Sequence, residues 1–196
     1  MREEPRFKAI VIPKIGNKYV VVKDKKYGEY TFVIGGCKLN ETSTACALRE
    51  LAEETRNAVS INASLMQKPT FTFDSRDRSP SELRNDKKKG VVVTMWYNVF
   101  VVPLEASFEQ IERNYHAHKF TNNKAYAETS GIYLMTLSEL MKSEKTWRMM
   151  KDNVLPKLMN SRPVVTPWRR VNSAPSRPKR SANAPKKSRA NTPCRW

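Results

Sequence analysis

The chain has little of what would tie it to a membrane or staple it together. No apolar stretch approaches the ~20 residues that a membrane-spanning helix needs. The first fourteen residues, MREEPRFKAIVIPK, carry acids and a proline before a short apolar run, unlike a signal peptide. There are three cysteines, Cys37, Cys46 and Cys194. Scattered and odd in number, they resemble neither a disulfide framework nor a CxxC zinc pair. Cys37 and Cys46 are expected to be small buried residues, and a reducing compartment fits. The two histidines, His116 and His118, lie in a polar segment and read as surface residues. No internal repeat is present. Acid is also scarce, with 19 Asp and Glu against 36 Lys and Arg, for a net charge of +17 over 196 residues. These absences point to an intracellular, cytoplasmic protein whose partners include polyanions.

The charge is unevenly spread. Residues 162–196 hold ten Lys or Arg, no acid and half of the 12 prolines. Such a segment lacks the apolar side chains that would offset the entropy of ordering it. The expected organisation is therefore a domain over 1–160 and a basic, proline-rich, disordered tail over 161–196. Within the domain, residues 7–13 (FKAIVIP) and 18–23 (KYVVVK) predict strands around an Ile15-Gly16-Asn17 turn. Residues 30–34 (YTFVI) predict a third strand, broken by Gly35-Gly36. Glu41-Thr42-Ser43 offers a helix start. The helix is expected to run to about Thr55, burying Ala45, Leu48, Leu51 and Ala52 at a 3.6 period. Residues 59–66 and 70–73 read as short strands, and 74–89 as a long charged loop. Residues 91–102 (VVVTMWYNVFVV) give the strongest strand signal, with Trp96, Tyr97 and Phe100 expected in the core. A strand at 132–135 precedes an amphipathic helix over 137–159, with Leu137, Leu140, Met141, Trp147, Met150 and Val154 on its apolar stripe. Strands on both sides of one central helix, then a C-terminal helix, predict an α/β (α+β) sandwich with a mixed sheet between helices.

Residues 35–54 (GGCKLNETSTACALRELAEE) hold the chemistry. Glu50, Glu53 and Glu54 sit at i, i+3 and i+4, on one stripe of a helix. Three carboxylates there repel each other unless a cation lies among them. A divalent metal is the natural choice, because Mg²⁺ takes oxygen ligands and phosphate-processing sites hold it with carboxylates and substrate phosphates. The plainer alternative is a solvated, salt-bridged helix face.

From Gly35 the spacing is Gly, five residues, Glu41, seven residues, Arg49-Glu50-Leu51, one residue, Glu53-Glu54. This resembles the Nudix box of the Nudix hydrolases, GX5EX7REUXEEXGU with U aliphatic. A chance match of these positions at a given start has odds on the order of 1 in 10⁸ at average residue usage. Past Glu54 the chain departs, with Arg56 at the family's glycine and Asn57 at the next aliphatic. That glycine ends the helix in a left-handed conformation, and Asn57 is expected to take over this role. Upstream, the family's frequent Trp-x-Phe-Pro-Gly-Gly is replaced by Tyr30-Thr31-Phe32-Val33-Ile34-Gly35.

The resemblance implies an α/β/α Nudix sandwich over about 5–158 and assigns roles residue by residue. Glu53 and Glu54 would ligate Mg²⁺ or Mn²⁺, with Glu50 a further ligand or the base that orients water. Arg49 would hold Glu50 or Glu41, and Glu41 and Gly35 would be structural. Glu128 stands where the family often supplies one more carboxylate. The implied reaction is hydrolysis of a diphosphate linkage in a nucleotide-containing substrate. The basic residues favour the 5′ cap of an RNA, as in the mRNA-decapping Nudix enzymes of large DNA viruses. Diphosphoinositol polyphosphates, ADP-ribose and other nucleotide sugars, or non-catalytic RNA binding on the same fold, are the alternatives. Candidate RNA-binding cations are Lys87, Lys88 and Lys89, and in the tail Arg169, Arg170, Lys179 and Arg180. The tail reads equally as a nuclear-localisation signal.

Overall fold

The computed structural model describes residues 2–76, 80–118 and 124–161. Its strands are β1 (Arg2–Ile15), β2 (Lys18–Asp24), β3 (Tyr30–Thr31), β4 (Val33–Gly36), β5 (Phe71–Ser75), β6 (Val91–Pro103) and β7 (Thr129–Met135). The helices are α1 (Ser43–Glu54), α2 (Pro80–Lys88), α3 (Phe108–Ala117), α4 (Leu137–Lys142) and α5 (Leu155–Asn160). None of the helices is long and apolar enough to cross a membrane.

All seven strands join one mixed sheet. β1 runs parallel to β6 along its whole length, from Arg2 opposite Val91 to Lys14 opposite Pro103. The remaining pairings are antiparallel. β1 and β2 pair only at their hairpin base, Lys14 with Tyr19 and Ile15 with Lys18. They then part, β4 joining β1 and β7 joining β2. The gap so opened lies beside α1.

Strand alternation assigns two cores. Ala9, Val11, Val20, Val22, Phe100 and Val102 face α1 and α3, packing with Cys46, Ala47, Leu51, Ile111 and Tyr115. Ile10, Ile12, Val21, Tyr97 and Val99 face the other way, onto Leu140, Met150, Val154, Leu155 and Leu158. The expected mixed sheet between helices is therefore the observed one.

Several elements differ from expectation. The 137–159 segment is not one helix. It breaks after Lys142 because Lys145 and Trp147 bond the backbone of Tyr30, and helical turns resume at Met150. Residues 59–66 contain a 3₁₀ turn, Ala63–Met66, capped by the Asn62 side chain, in place of a strand. The charged 74–89 stretch holds α2, with Glu82 in its first turn and Lys87 and Lys88 in its last, a distribution that complements the helix dipole. The polar segment before residue 118 is largely α3, capped by Ser107. The proposed tail lies outside the described residues, as do its four candidate cations.

Candidate active site

Helix α1 begins where Thr42 caps it, its hydroxyl accepting from the Ala45 N–H. Its buried face is rotated from the expected one. Cys46, Ala47 and Leu51 enter the core, Ala45 is exposed, and Leu48 and Ala52 are half-buried. Glu50 and Glu54 are buried too, because this edge of the helix lies against β4 rather than water. Gly35 makes that approach feasible: a Cβ there would come within 1.8 Å of the Glu50 carboxyl carbon.

Arg49 organises the acids. Its Nε and Nη2 donate to the two Glu41 oxygens, both at 2.9 Å, a bidentate pair. Nη1 reaches Glu50 at 2.6 Å and Glu53 at 3.2 Å, and Nη2 also donates to the Gly36 carbonyl at 2.8 Å. Glu41 in turn accepts from the Lys38 N–H at 2.8 Å. Those bonds hold the Glu41 carboxyl down to about 2, the Arg49 guanidinium being the largest cause. Glu54 accepts from the Ile34 N–H at 3.2 Å.

The two buried acids are pushed the other way. Burial raises Glu50 despite the adjacent Arg49 guanidinium. It raises Glu54 well above the usual carboxylate range, and the charges of Glu50, Glu128 and Asp24 add to the effect. The site is thus an acidic cluster short of positive charge. Asp24 is a member that sequence reasoning missed. It ends β2 opposite Thr129, at a break in register, and only that pairing brings it near α1. Among the described residues, no three His, Cys, Asp or Glu side chains converge into a ready-made metal site. The Arg49 guanidinium stands between Glu50 and Glu53, where a cation would go.

Cys37 and Cys46 form a disulfide, with their Cα atoms 5.1 Å apart. The expectation of unpaired cysteines does not hold for these two. The connecting loop folds back through Asn40, whose φ of 64° is left-handed, and nothing in a nine-residue spacing announces such a turn. Cys37 also lines a cavity of about 250 Å³ with Phe7, Glu41, Ser43 and Asn98.

Lys87, Lys88 and Lys89 are not brought to the glutamates. They precede Val91, which pairs with Arg2, whereas Gly35 pairs with Ala9. Seven residues of strand separate those levels, roughly 23 Å. His116 and His118 are exposed, as expected.

Solved structures share this architecture. The dihydroneopterin triphosphate pyrophosphohydrolase of E. coli superposes with a TM-score of 0.52 at 15% identity, over 79% of this chain and 96% of that one. A NUDIX hydrolase from Nitrosomonas europaea gives 0.50 at 13%, over 74% and 81%. The fold is that of the Nudix hydrolases. The MutT protein of Bacillus halodurans adds a third instance, at 0.50 and 10% identity, over 80% and 83%. No family model and no curated protein matches the sequence.

Proposed function

We propose that the chain is a Nudix hydrolase that cleaves a diphosphate linkage in a nucleotide-containing substrate, with the 5′ cap of an RNA as the leading candidate. The observation that carries this reading is the acidic cluster itself: Glu50, Glu53 and Glu54 on one helix edge, two of them buried, with the Arg49 guanidinium bonded to Glu50 and Glu53.

The donors fit Mg²⁺ or Mn²⁺. All are carboxylate oxygens, which suit hard cations, and burial of Glu50 and Glu54 disfavours their charged forms unless a cation joins them. Glu50, Glu53 and Glu54 would hold the metal, with Glu128 completing the set. The bound metal supplies charge neutralisation at the diphosphate and a lowered pKa for attacking water. The protein groups do the rest. Arg49 stays anchored on Glu41 through its two parallel bonds and keeps Glu50 aimed across Gly35. Glu50 would serve either as a further ligand or as the base that orients the water and accepts its proton. The Ile34 N–H holds one Glu54 oxygen, and the other would be available to the metal.

The base of the substrate has a platform. Phe7 and Trp96 are register partners on neighbouring strands and remain 52% and 41% exposed. Alternation puts both, with Asn98, on the α1 side of the sheet. Trp96 thus departs from the core placement expected for it, while Tyr97 and Phe100 are buried. Phe7 is two residues from Ala9, the partner of Gly35, about 7 Å along the strand. That is the separation a ribose would span between a stacked base and the phosphates.

The test is incubation with capped RNA, diphosphoinositol polyphosphate and ADP-ribose side by side, with Mg²⁺ and with Mn²⁺. Metal-dependent release of a capped nucleotide, lost in Glu54→Gln, supports the reading. Release from another substrate alone would replace the cap, and no release from any would leave RNA binding on a Nudix fold. Removing 162–196 is expected to weaken RNA binding and to lower its log–log salt slope by about 0.7 for each phosphate that the tail had neutralised.

A further inference from the structure

Arg56 stands where the Nudix box has glycine, and the structure uses it for something a glycine cannot do. α1 ends at Glu54 with Thr55 as its C-cap, and the next two residues are left-handed, Arg56 at φ 55° and Asn57 at φ 58°. Asn57 does close the helix, its N–H reaching the Ala52 carbonyl at 2.8 Å, but it shares the left-handed turn with Arg56. For an arginine this conformation costs roughly 1–2 kcal/mol relative to glycine. The side chain is nonetheless buried.

Its partners converge on one short segment. Nε donates to the Tyr126 carbonyl at 3.0 Å and Nη2 to the Thr129 carbonyl at 2.7 Å. The guanidinium carbon lies 4.1 Å from the Tyr115 ring centroid, on its face. The Tyr115 and Thr129 hydroxyls are 2.8 Å apart, and Thr129 Oγ1 lies 2.8 Å from the Glu54 carbonyl. Asn57 also bonds the Tyr126 hydroxyl. One planar fork therefore grips the backbone on both sides of Glu128 and ties it to the end of α1 that carries Glu53 and Glu54. A planar fork of this kind holds two acceptors in a fixed geometry, which a lysine ammonium on its flexible stem does not.

We propose that Arg56 is a positioning residue for the metal centre: it clamps the Glu128 segment against the C-terminal end of α1, so that the Glu128 carboxylate joins Glu50 and Glu54. This rests on the hydrolase reading of the same site. The clamp accounts for a side chain at a position where glycine would be conformationally easier.

The test uses Arg56→Gly, which suits the left-handed backbone and removes the clamp, alongside Arg56→Lys and Glu128→Gln in the full-length protein. Mn²⁺ affinity by titration calorimetry, amide hydrogen exchange over 126–129, and kcat and KM separately are the readouts. Arg56→Gly is expected to speed exchange over 126–129 and to weaken Mn²⁺ binding about 10-fold or more. It should lower kcat with KM little changed, and Arg56→Lys should recover part of each loss. In a Glu128→Gln background it should cost almost nothing further. Wild-type Mn²⁺ affinity and kcat in Arg56→Gly, or losses that multiply with those of Glu128→Gln, would overturn the assignment. Should Arg56→Gly not fold, Arg56→Lys carries the comparison alone. A wild-type chain that neither binds Mn²⁺ nor hydrolyses any diphosphate would instead overturn the hydrolase reading, and the exchange measurement would still report the clamp.

Discussion

Gly35 lies directly against the Glu50 carboxylate, so closely that a methyl group on Gly35 would overlap it. The glycine is required by this contact and not by a turn, since its backbone is ordinary strand paired with Ala9. Gly35→Ala is therefore expected to push Glu50 off Arg49 while leaving the strand in place. Overpacking of this kind costs about 1–3 kcal/mol, and loss of Glu50 alignment should lower kcat roughly 10- to 100-fold. Thermal melting and steady-state kinetics on the same preparation check both. Normal turnover in the variant would mean that Glu50 is not needed where the structure puts it.

Glu54 gives a prediction about stability and pH. Its folded carboxyl is raised, chiefly by burial, so the folded state binds its proton more tightly than the unfolded chain does. Stability from this group is then present at low pH and is lost as pH rises above the ordinary value of 4.5 toward the folded one. The metal-free protein should become less stable as pH rises above the ordinary value of 4.5, and Glu54→Gln should remove much of that slope. Mn²⁺ should stabilise the wild type by mass action and the variant far less. Melting temperatures in EDTA and in Mn²⁺, across that pH range, decide it. A metal-induced shift equal in both proteins would separate Glu54 from the metal.

The Nudix box was legible because its spacing encodes a helical stripe, and a stripe of Glu50, Glu53 and Glu54 keeps its meaning whatever packs around it. The strands of β1, β2 and β6 were legible from runs of Val and Ile. What escaped depended on distant partners. Arg56 reads as a lapse in the motif until Tyr126 and Thr129 arrive from 70 and 73 residues away. The Cys37–Cys46 pair needs the left-handed Asn40 between them. Alternation in β6 separates Trp96 from Tyr97 by face, but only the extent of α1 shows that Trp96 remains open on its side. The same limit misplaced the buried stripe of α1: periodicity finds apolar residues, whereas here Glu50 and Glu54 are buried as well.

Arg49 and Glu41 form the support for that stripe. With the Glu41 carboxyl held down to about 2, its contribution is present above the ordinary value of 4.5 and is lost as pH falls toward 2. Glu41→Gln should lower stability near neutral pH by on the order of 1 kcal/mol once solvent screening is allowed for. Arg49→Lys should cost more in turnover than in stability, because an ammonium lacks the planar fork that makes two parallel bonds to Glu41 while reaching Glu50. Denaturant melts at pH 7 and pH 3, with kinetics at pH 7, test this. A Glu41→Gln deficit that is as large at pH 3 as at pH 7 would contradict an ionic origin.

Phe7 and Trp96 supply the prediction that bears on the substrate. Both are only about half exposed, so replacing either with Ala also removes buried area, and melting temperature is to be recorded beside the kinetics to keep that stability cost apart from binding. Stacking of a base on an aromatic side chain is worth about 1–3 kcal/mol. If the base lies on this pair, each replacement should raise KM for a nucleotide substrate by roughly 5- to 100-fold and leave kcat nearly unchanged. The opposite split, a fall in kcat at constant KM, would place the pair in the transition state and not in ground-state binding. Diphosphoinositol polyphosphate, which has no base, is the internal control. Its hydrolysis, if any, should be indifferent to both changes, and equal losses on base-bearing and base-free substrates would remove Phe7 and Trp96 from base recognition altogether.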